Sequence, residues 1–353
     1  MKLLIVIGTR PNFIKVTRFK EIAETLEDFS VEIVHTGQHY DQKMSGVFFD
    51  QFKLHPDYFL SLRGDDPASH FGNMIVDLGL LITEIEPDVV MVPGDVNSSL
   101  AGALAAHRCG VKIAHLESGL RSRDREMPEE INRILIDQIS NYHFVTEKSG
   151  VENLLQEGFA TPHLVGNTMI DTLVKHRSDI DASSILKDCK VSKREYGLIT
   201  MHRPSNVDNE EGVNFIISML ESLVQKYSLV FPIHPRTRKN IEELGLWDKL
   251  SSIPGVVITE PLGYFDFQKL ISSSKFVITD SGGIQEETTF CRIPCVTIRE
   301  NTERPITLEI GTNHLVGRDL PAILDAIEHP KEGQVPEMWD GYTSERVIEI
   351  LRN

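Results

Sequence analysis

The sequence predicts two doubly wound α/β domains, each a parallel sheet with helices on both faces. Short, continuously apolar runs alternate with segments of helical period from the first residues onward. The alternation breaks once, around Val165-Gly166-Asn167-Thr168, and then resumes. In both halves the apolar runs end in polar loops, rich in glycine or proline, that open helices.

In chain order, the first half reads as the strand LLIVIG (3–8), a helical segment NFIKVTRFKEIAETL (12–26), and the strands VEIVHTG (31–37), DVVMVPG (88–94), KIAHLE (112–117) and HFVTE (143–147). Their middles are apolar without alternation, as in strands covered on both faces. A polar helical stretch from Asp171 to Lys190 leads to the second series: YGLIT (196–200), LVFPIH (229–234), GVVIT (255–259), FVITD (276–280) and PCVTI (294–298). The run SERVIEILRN at the end has helical period and exceeds what the second series needs. The expected domains are therefore 1–168, to which 338–353 crosses back as a closing helix, and 169–337. Ligands bind such sheets outside the carboxyl ends of the strands, so the site is expected in a cleft where the two sheets face each other.

The 353 residues suit two domains and a sizeable core. With 41% hydrophobic and 25% charged residues the chain has ordinary globular composition. Its 36 Lys and Arg against 52 Asp and Glu leave a net charge of −16, which disfavours nucleic acid and anionic lipid as partners. An anionic small ligand would need local cations against that field. The N-terminal apolar run stops at Gly8, too short for a signal or a membrane span, and reads as a first buried strand. Cys109, Cys189, Cys291 and Cys295 form no CxxC pair and read as buried reduced thiols of a cytoplasmic protein, with no metal site.

The loops carry the chemistry. Gly8-Thr9-Arg10-Pro11 lies between a strand and a helix, with Arg10 where a helix N-terminus favours anions and Lys15 about a turn further in. Asp280-Ser281-Gly282-Gly283 leads into a helix, so that the Ser281 hydroxyl and the amides of Gly282 and Gly283 form a donor set for a pyrophosphate; Glu287 stands where ribose hydroxyls are held. This is neither GxGxxG nor a Walker loop, which leaves nicotinamide cofactors and ATP without support. Arg299 and Arg304 add positive charge near the same strand ends, unless Arg304 simply pairs with Glu303. His202 and His234 each follow an apolar strand at the same rim. The first half supplies acids: Asp95, Glu117 and Glu129, the last opening a helix in which Glu130 and Arg133 form an i,i+3 pair. Singly these are ordinary caps and dipole partners. Together, acids on one domain and a phosphate cradle on the other point to chemistry beside a diphosphate leaving group.

The ordered strings GTRPNFIK, TGQHYD, PGDVNS, HLESGLRS, MPEEINR, TMHRPSN, DSGGIQEE and NTERP span nearly the whole chain. In them the sequence resembles the non-hydrolysing UDP-N-acetylglucosamine 2-epimerase family. The resemblance implies a two-domain, glycosyltransferase-B-like fold of Rossmann-like domains, UDP bound in the cleft, no metal, no nicotinamide and a homodimer. It implies Asp95, Glu117, Glu129 and His202 as the catalytic group and Arg10 and Lys15 as substrate contacts. For the nucleotide it implies His234, Ser281, Gly282, Gly283, Glu287 and Arg304, with Phe267 against uracil. Gln38 and His39 match a region where many bacterial members bind a second UDP-N-acetylglucosamine as activator. Asp41 replaces the longer Gln or Glu common in those members, and Ile306 replaces the last residue of the family's TERPE string.

The implied reaction is epimerisation at C2 through elimination of UDP to 2-acetamidoglucal and readdition, as a step toward surface polysaccharide. Family members also act on UDP-2,3-diacetamido-2,3-dideoxyglucuronate, and a hydrolysing branch releases N-acetylmannosamine. A glycosyltransferase of the same fold and a non-catalytic nucleotide-sugar sensor are the competing functions.

Overall fold

The structure, a computed structural model, describes residues 1–38, 49 and 51–353. It separates into two compact units, Met1–Lys175 with Glu337–Asn353, and His176–Pro336.

The first unit is built on a seven-stranded sheet of β1 (Lys2–Ile7), β2 (Ser30–His35), β3 (Tyr58–Phe59), β4 (Val89–Pro93), β5 (Lys112–Leu116), β6 (Tyr142–Val145) and β7 (His163–Leu164). Their spatial order is β3-β2-β1-β4-β5-β6-β7, and every pairing is parallel. Leu3 to Ile7 are fully buried, because helices cover both faces of the sheet. The helix Pro67–Ile85 shows how one cover forms. Asp66 accepts from the amides of Ala68 and Ser69 at its start, Pro67 takes the first helical position, and Met74, Leu78, Ile82 and Ile85 recur on one face. That face packs on Leu4, Val6, Val34, Val90 and Val92 of the sheet.

The second unit holds six parallel strands: β8 (Tyr196–Thr200), β9 (Ser228–Pro232), β10 (Val256–Thr259), β11 (Phe276–Thr279), β12 (Cys295–Thr297) and β13 (Asn313–Leu315). Their order is β10-β9-β8-β11-β12-β13. The helix Glu210–Leu223, capped by the Asn209 side chain, buries Val213, Ile216, Ile217, Leu220 and Leu223 against Ile199, Phe231, Phe276 and Ile278.

The stretch 171–190 divides between the units. The helix Thr168–Lys175 lies in the first, where the Thr172 hydroxyl donates to the Ile14 carbonyl at 2.6 Å. The buried carboxylate of Asp171 accepts from the amides of Thr343 and Ser344 at 3.1 and 2.6 Å, so it caps the final helix, Thr343–Arg352. Burial pushes the Asp171 carboxyl above the usual range. Of the cysteines, Cys189 and Cys295 are buried, but Cys109 is exposed, which corrects the expectation that all four are core thiols. Burial pushes the Cys295 thiol up to about 11. Among the described residues no helix is long and apolar enough to cross a membrane, and no cluster of three metal-binding side chains occurs.

Candidate active site

In each sheet the strand order reverses once, between β1 and β4 in the first and between β8 and β11 in the second. Loops leaving such strands turn to opposite faces and open a crevice at the carboxyl edge. Arg10, Lys15 and Asp95 leave the strands at the first of these points and His202 and Ser281 those at the second, with the other singled-out residues on neighbouring elements.

In the first unit, β1 runs into the helix Arg10–Val16, which carries Lys15 on its buried side. Lys15 forms a buried ion pair with Glu117, the residue after β5. Glu117 has φ +72°, a left-handed conformation that costs a side-chain-bearing residue on the order of 1 kcal/mol. It is held there because the amides of Glu117 and Ser118 both donate to the Phe144 carbonyl, at 2.9 and 3.0 Å. Gly94 follows β4 with φ +64°, and a Cβ there would lie 3.0 Å from Lys15 Nζ and 3.5 Å from Glu117 Oε2. The loop thus passes directly over the pair.

Asp95 comes next and is clamped by Arg133, whose Nε donates to Oδ2 at 3.1 Å. Arg133 also reaches Glu130 at 2.7 Å, the i,i+3 pair read from the sequence, but its second role on Asp95 was not read there. Glu130 is buried and accepts from the amides of Ser122 and Arg123, which makes it a loop organiser. Glu129 is exposed in the first turn of the helix Pro128–Ile139, and Arg10 is exposed at the start of its own helix. The structure therefore joins Asp95 and Glu117 around one glycine and leaves Glu129 on the adjoining helix face.

Beneath them lies a buried network with no sequence signal. His115 sets Nδ1 2.6 Å from Asp137 Oδ1 and Nε2 3.0 Å from the Gly94 carbonyl. Asp137 also meets Arg121 Nη1 at 2.7 Å and accepts from the Gly119 amide. Burial pushes the Asp137 carboxyl up, but His115 and Arg121 outweigh it and hold the group below the ordinary carboxylate range. This network braces the Gly94 turn against the Glu117–Gly119 turn.

In the second unit, Thr200 of β8 pairs with Thr279 of β11, which brings His202 and Asp280 together just past the strand ends. His202 Nδ1 lies 2.9 Å from Asp280 Oδ1, with the His202 side chain 39% exposed and Asp280 fully buried. The His202 and Arg203 amides and Asn206 Nδ2 also donate to the Asp280 carboxylate. Burial pushes the Asp280 carboxyl up, yet the bonds from His202, Arg203 and Asn206 bring it below its ordinary value. The His234 ring stands 5.4 Å from that of His202, and its Nδ1 caps the helix Pro235–Glu243 by accepting from the Arg236 amide.

Ser281 is the N-cap of the helix Gly282–Cys291, and Ser281, Gly282 and Gly283 are partly exposed. A Cβ on Gly282 would come 2.8 Å from Glu303 Oε1 and 3.0 Å from Arg304 Cζ, so Arg304 lies over the helix start. The arginines are not uncompensated cations, which corrects the expectation of added positive charge. Arg304 pairs with Glu286 at 2.9 Å and with Glu303, and Arg299 pairs with Glu303 at 2.8 Å. Glu287 is buried in its helix, and Phe267 is half-buried against the cluster containing Ile271 and Ile284. Gln38 is engaged within the first unit, where its Oε1 accepts from the Ser98 amide at 2.9 Å near the start of the helix Asn97–Arg108. His39 and Asp41 lie outside the described residues.

Asp280 was visible in the sequence only as the first letter of a glycine loop. The signal that could have found it is positional: adjacent parallel strands ending in Asp and in His at matched register bring the two together. Two doubly wound sheets in one chain, one with braced carboxylates at its switch point and the other with a His-Asp pair and a serine-glycine helix start, define a glycosyltransferase-B-like fold. The family model described as UDP-N-acetylglucosamine 2-epimerase matches residues 20–352. A UDP-N-acetylglucosamine 2-epimerase of Methanococcus maripaludis is 41% identical, the match covering 93% of this chain and 91% of that protein. A UDP-2,3-diacetamido-2,3-dideoxy-D-glucuronate 2-epimerase of Pseudomonas aeruginosa is 39% identical over 99% of both. The crystal structure of Methanocaldococcus jannaschii UDP-GlcNAc 2-epimerase in complex with UDP-GlcNAc and UDP superposes with a TM-score of 0.92 at 38% identity, covering 100% of this chain and 99% of that one. The chain belongs to the UDP-N-acetylglucosamine 2-epimerase family.

Proposed function

We propose that this protein interconverts UDP-N-acetylglucosamine and UDP-N-acetylmannosamine by eliminating and readding UDP. The observation that carries the proposal is the pairing of Glu117 with Lys15 and of Asp95 with Arg133 around Gly94, a set of carboxylates held ready for proton transfer.

The C2 hydrogen of the sugar is not next to a carbonyl, so no side-chain base removes it directly. If the C1–O bond to UDP stretches first, the cationic character at C1 acidifies C2–H. A carboxylate then takes the proton, UDP leaves with the bonding electrons, and 2-acetamidoglucal remains. In the return step a carboxylic acid delivers a proton to the opposite face of C2 and the diphosphate oxygen re-forms the bond to C1. Asp95, Glu117 and Glu129 share these transfers in the proposal, with His202 as a further catalytic group and Arg10 and Lys15 as substrate contacts. His234, Ser281, Gly282, Gly283, Glu287 and Arg304 hold UDP, Phe267 lies against uracil, and Gln38 and His39 belong to an activator site. No cofactor or metal has a step.

Incubation with UDP-N-acetylglucosamine alone in D2O tests this: an equilibrium mixture of the two epimers should form with solvent deuterium at C2. Product without that deuterium would overturn the elimination route, a requirement for an acceptor would identify a glycosyltransferase, and free N-acetylmannosamine a hydrolysing enzyme. The Pseudomonas relative supports a second reading, a 2-epimerase of the diacetamido uronate, and parallel assays with both UDP-sugars separate them.

The proposal extends to a cytoplasmic homodimer serving surface polysaccharide synthesis. Val76 and Leu80, 56% and 67% exposed one turn apart on the helix Pro67–Ile85, support a covered face. Light scattering should give twice the chain mass of 39.8 kDa.

A further inference from the structure

Asp280 has no solvent exposure and ends strand β11, facing the loop that leaves β8. Its two oxygens accept from the His202 amide, the Arg203 amide and Asn206 Nδ2, and His202 Nδ1 lies 2.9 Å from Oδ1. Oδ2 is surrounded by fixed donors, and a proton shared across the 2.9 Å between Oδ1 and His202 Nδ1 resides on the more basic imidazole, so the group is a carboxylate and only accepts. The imidazole nitrogen facing it must then carry the hydrogen. His234 is arranged the other way: its Nδ1 accepts from the Arg236 amide, which leaves its hydrogen on Nε2 when the ring is neutral.

We propose that Asp280 is a positioning residue that holds His202 as the Nδ1–H tautomer, so that His202 offers the lone pair of Nε2 to the reacting diphosphate end while the neighbouring His234 offers an Nε2–H. The two rings, 5.4 Å apart, are thereby an acceptor and a donor rather than two equivalent bases. The Nε2 lone pair of His202 takes a proton from solvent before the elimination, and the resulting imidazolium meets the negative charge that develops on the leaving group; the Nε2–H of His234 bonds a phosphate oxygen that is already charged. The carboxylate beneath His202 both orients the ring and stabilises the imidazolium formed. This inference rests on the epimerase reading for its kinetic consequence but not for its structural content.

Two measurements test it. Long-range 1H–15N spectra of the wild-type enzyme labelled at its 13 histidines, assigned with His202→Gln and His234→Gln, should show His202 as Nδ1–H and His234 as Nε2–H above their titration range. An Nε2–H signature for His202 overturns the proposal, and this readout needs no variant of Asp280 to fold. In the epimerase assay, Asp280→Asn and His202→Gln should each lower kcat about a hundredfold with the affinity for UDP nearly unchanged, and the double variant should fall no further than His202→Gln alone. Multiplying losses would show that Asp280 acts independently of His202 and would overturn the proposal. Wild-type enzyme that leaves UDP-N-acetylglucosamine untouched would defeat the epimerase reading instead, while the tautomer spectra would still decide the role of Asp280.

Discussion

Six strands of the first sheet repeat the order and the reversal of the second, yet the first sheet's crevice edge holds carboxylates clamped by Lys15 and Arg133, and the second's holds an imidazole backed by Asp280 and the start of a glycine-led helix. Topology decides where chemistry is placed, since only at a reversal do loops part. The residues one to three positions beyond each strand decide which chemistry it is. In the first unit each acid is held by a cation, Glu117 by Lys15 in a buried pair and the partly exposed Asp95 by Arg133. In the second, Arg299 and Arg304 are paired with Glu286 and Glu303, so the proposed binding of UDP there rests mainly on backbone amides and the helix dipole.

This division is open to direct attack. Glu117→Gln should have the largest effect, lowering epimerase turnover about a thousandfold while changing the affinity for UDP less than about threefold, as kinetics and titration calorimetry would record. Equal losses of turnover and UDP affinity would erase the division of labour between the sheets. Next, Asp137→Asn leaves His115 and Arg121 without their shared carboxylate and should cost about 3–5 kcal/mol in urea unfolding, as removal of one partner from a buried ion pair does. Gly282→Ala forces Arg304 or Glu303 to shift and should weaken UDP binding about tenfold, with a smaller effect on turnover at saturation.

The smallest effects are in the pH dependence of stability. Asp137 and Asp280 titrate below their unfolded value of about 3.9, so their contribution is fully present above it and is lost as pH falls through the lowered folded value. Asp171 titrates above that value, so the folded state is disfavoured as pH rises from about 3.9 through its raised folded value. Thermal melts from pH 3 to 7 should therefore show Asp137→Asn flattening the acid limb and Asp171→Asn removing a weaker, opposite slope.

The apolar strands were legible because burial on both faces imposes a continuous composition on the chain itself. The edge strands β3, β7 and β13 were not, since two or three residues carry no period. The positions of Asp95, Glu117, His202 and Ser281 just past strand ends were legible, because polar residues interrupt apolar ones there. Their partners were harder to find. Arg133 looked like a helix-surface pair for Glu130, and nothing marked Asp137, which lies 22 residues from His115.

The sequence by itself therefore determined the two sheets, the place of the polar loops after their strands and the family, because each of these is written in local periodicity or in ordered motifs. Only the tertiary structure decided which charges meet: that Arg304 is neutralised, that His115 braces Gly94, and that Asp280 sits under His202. Such contacts arise where strands distant in sequence lie 4.8 Å or so apart in a sheet, a proximity set by pairing register rather than by any local pattern.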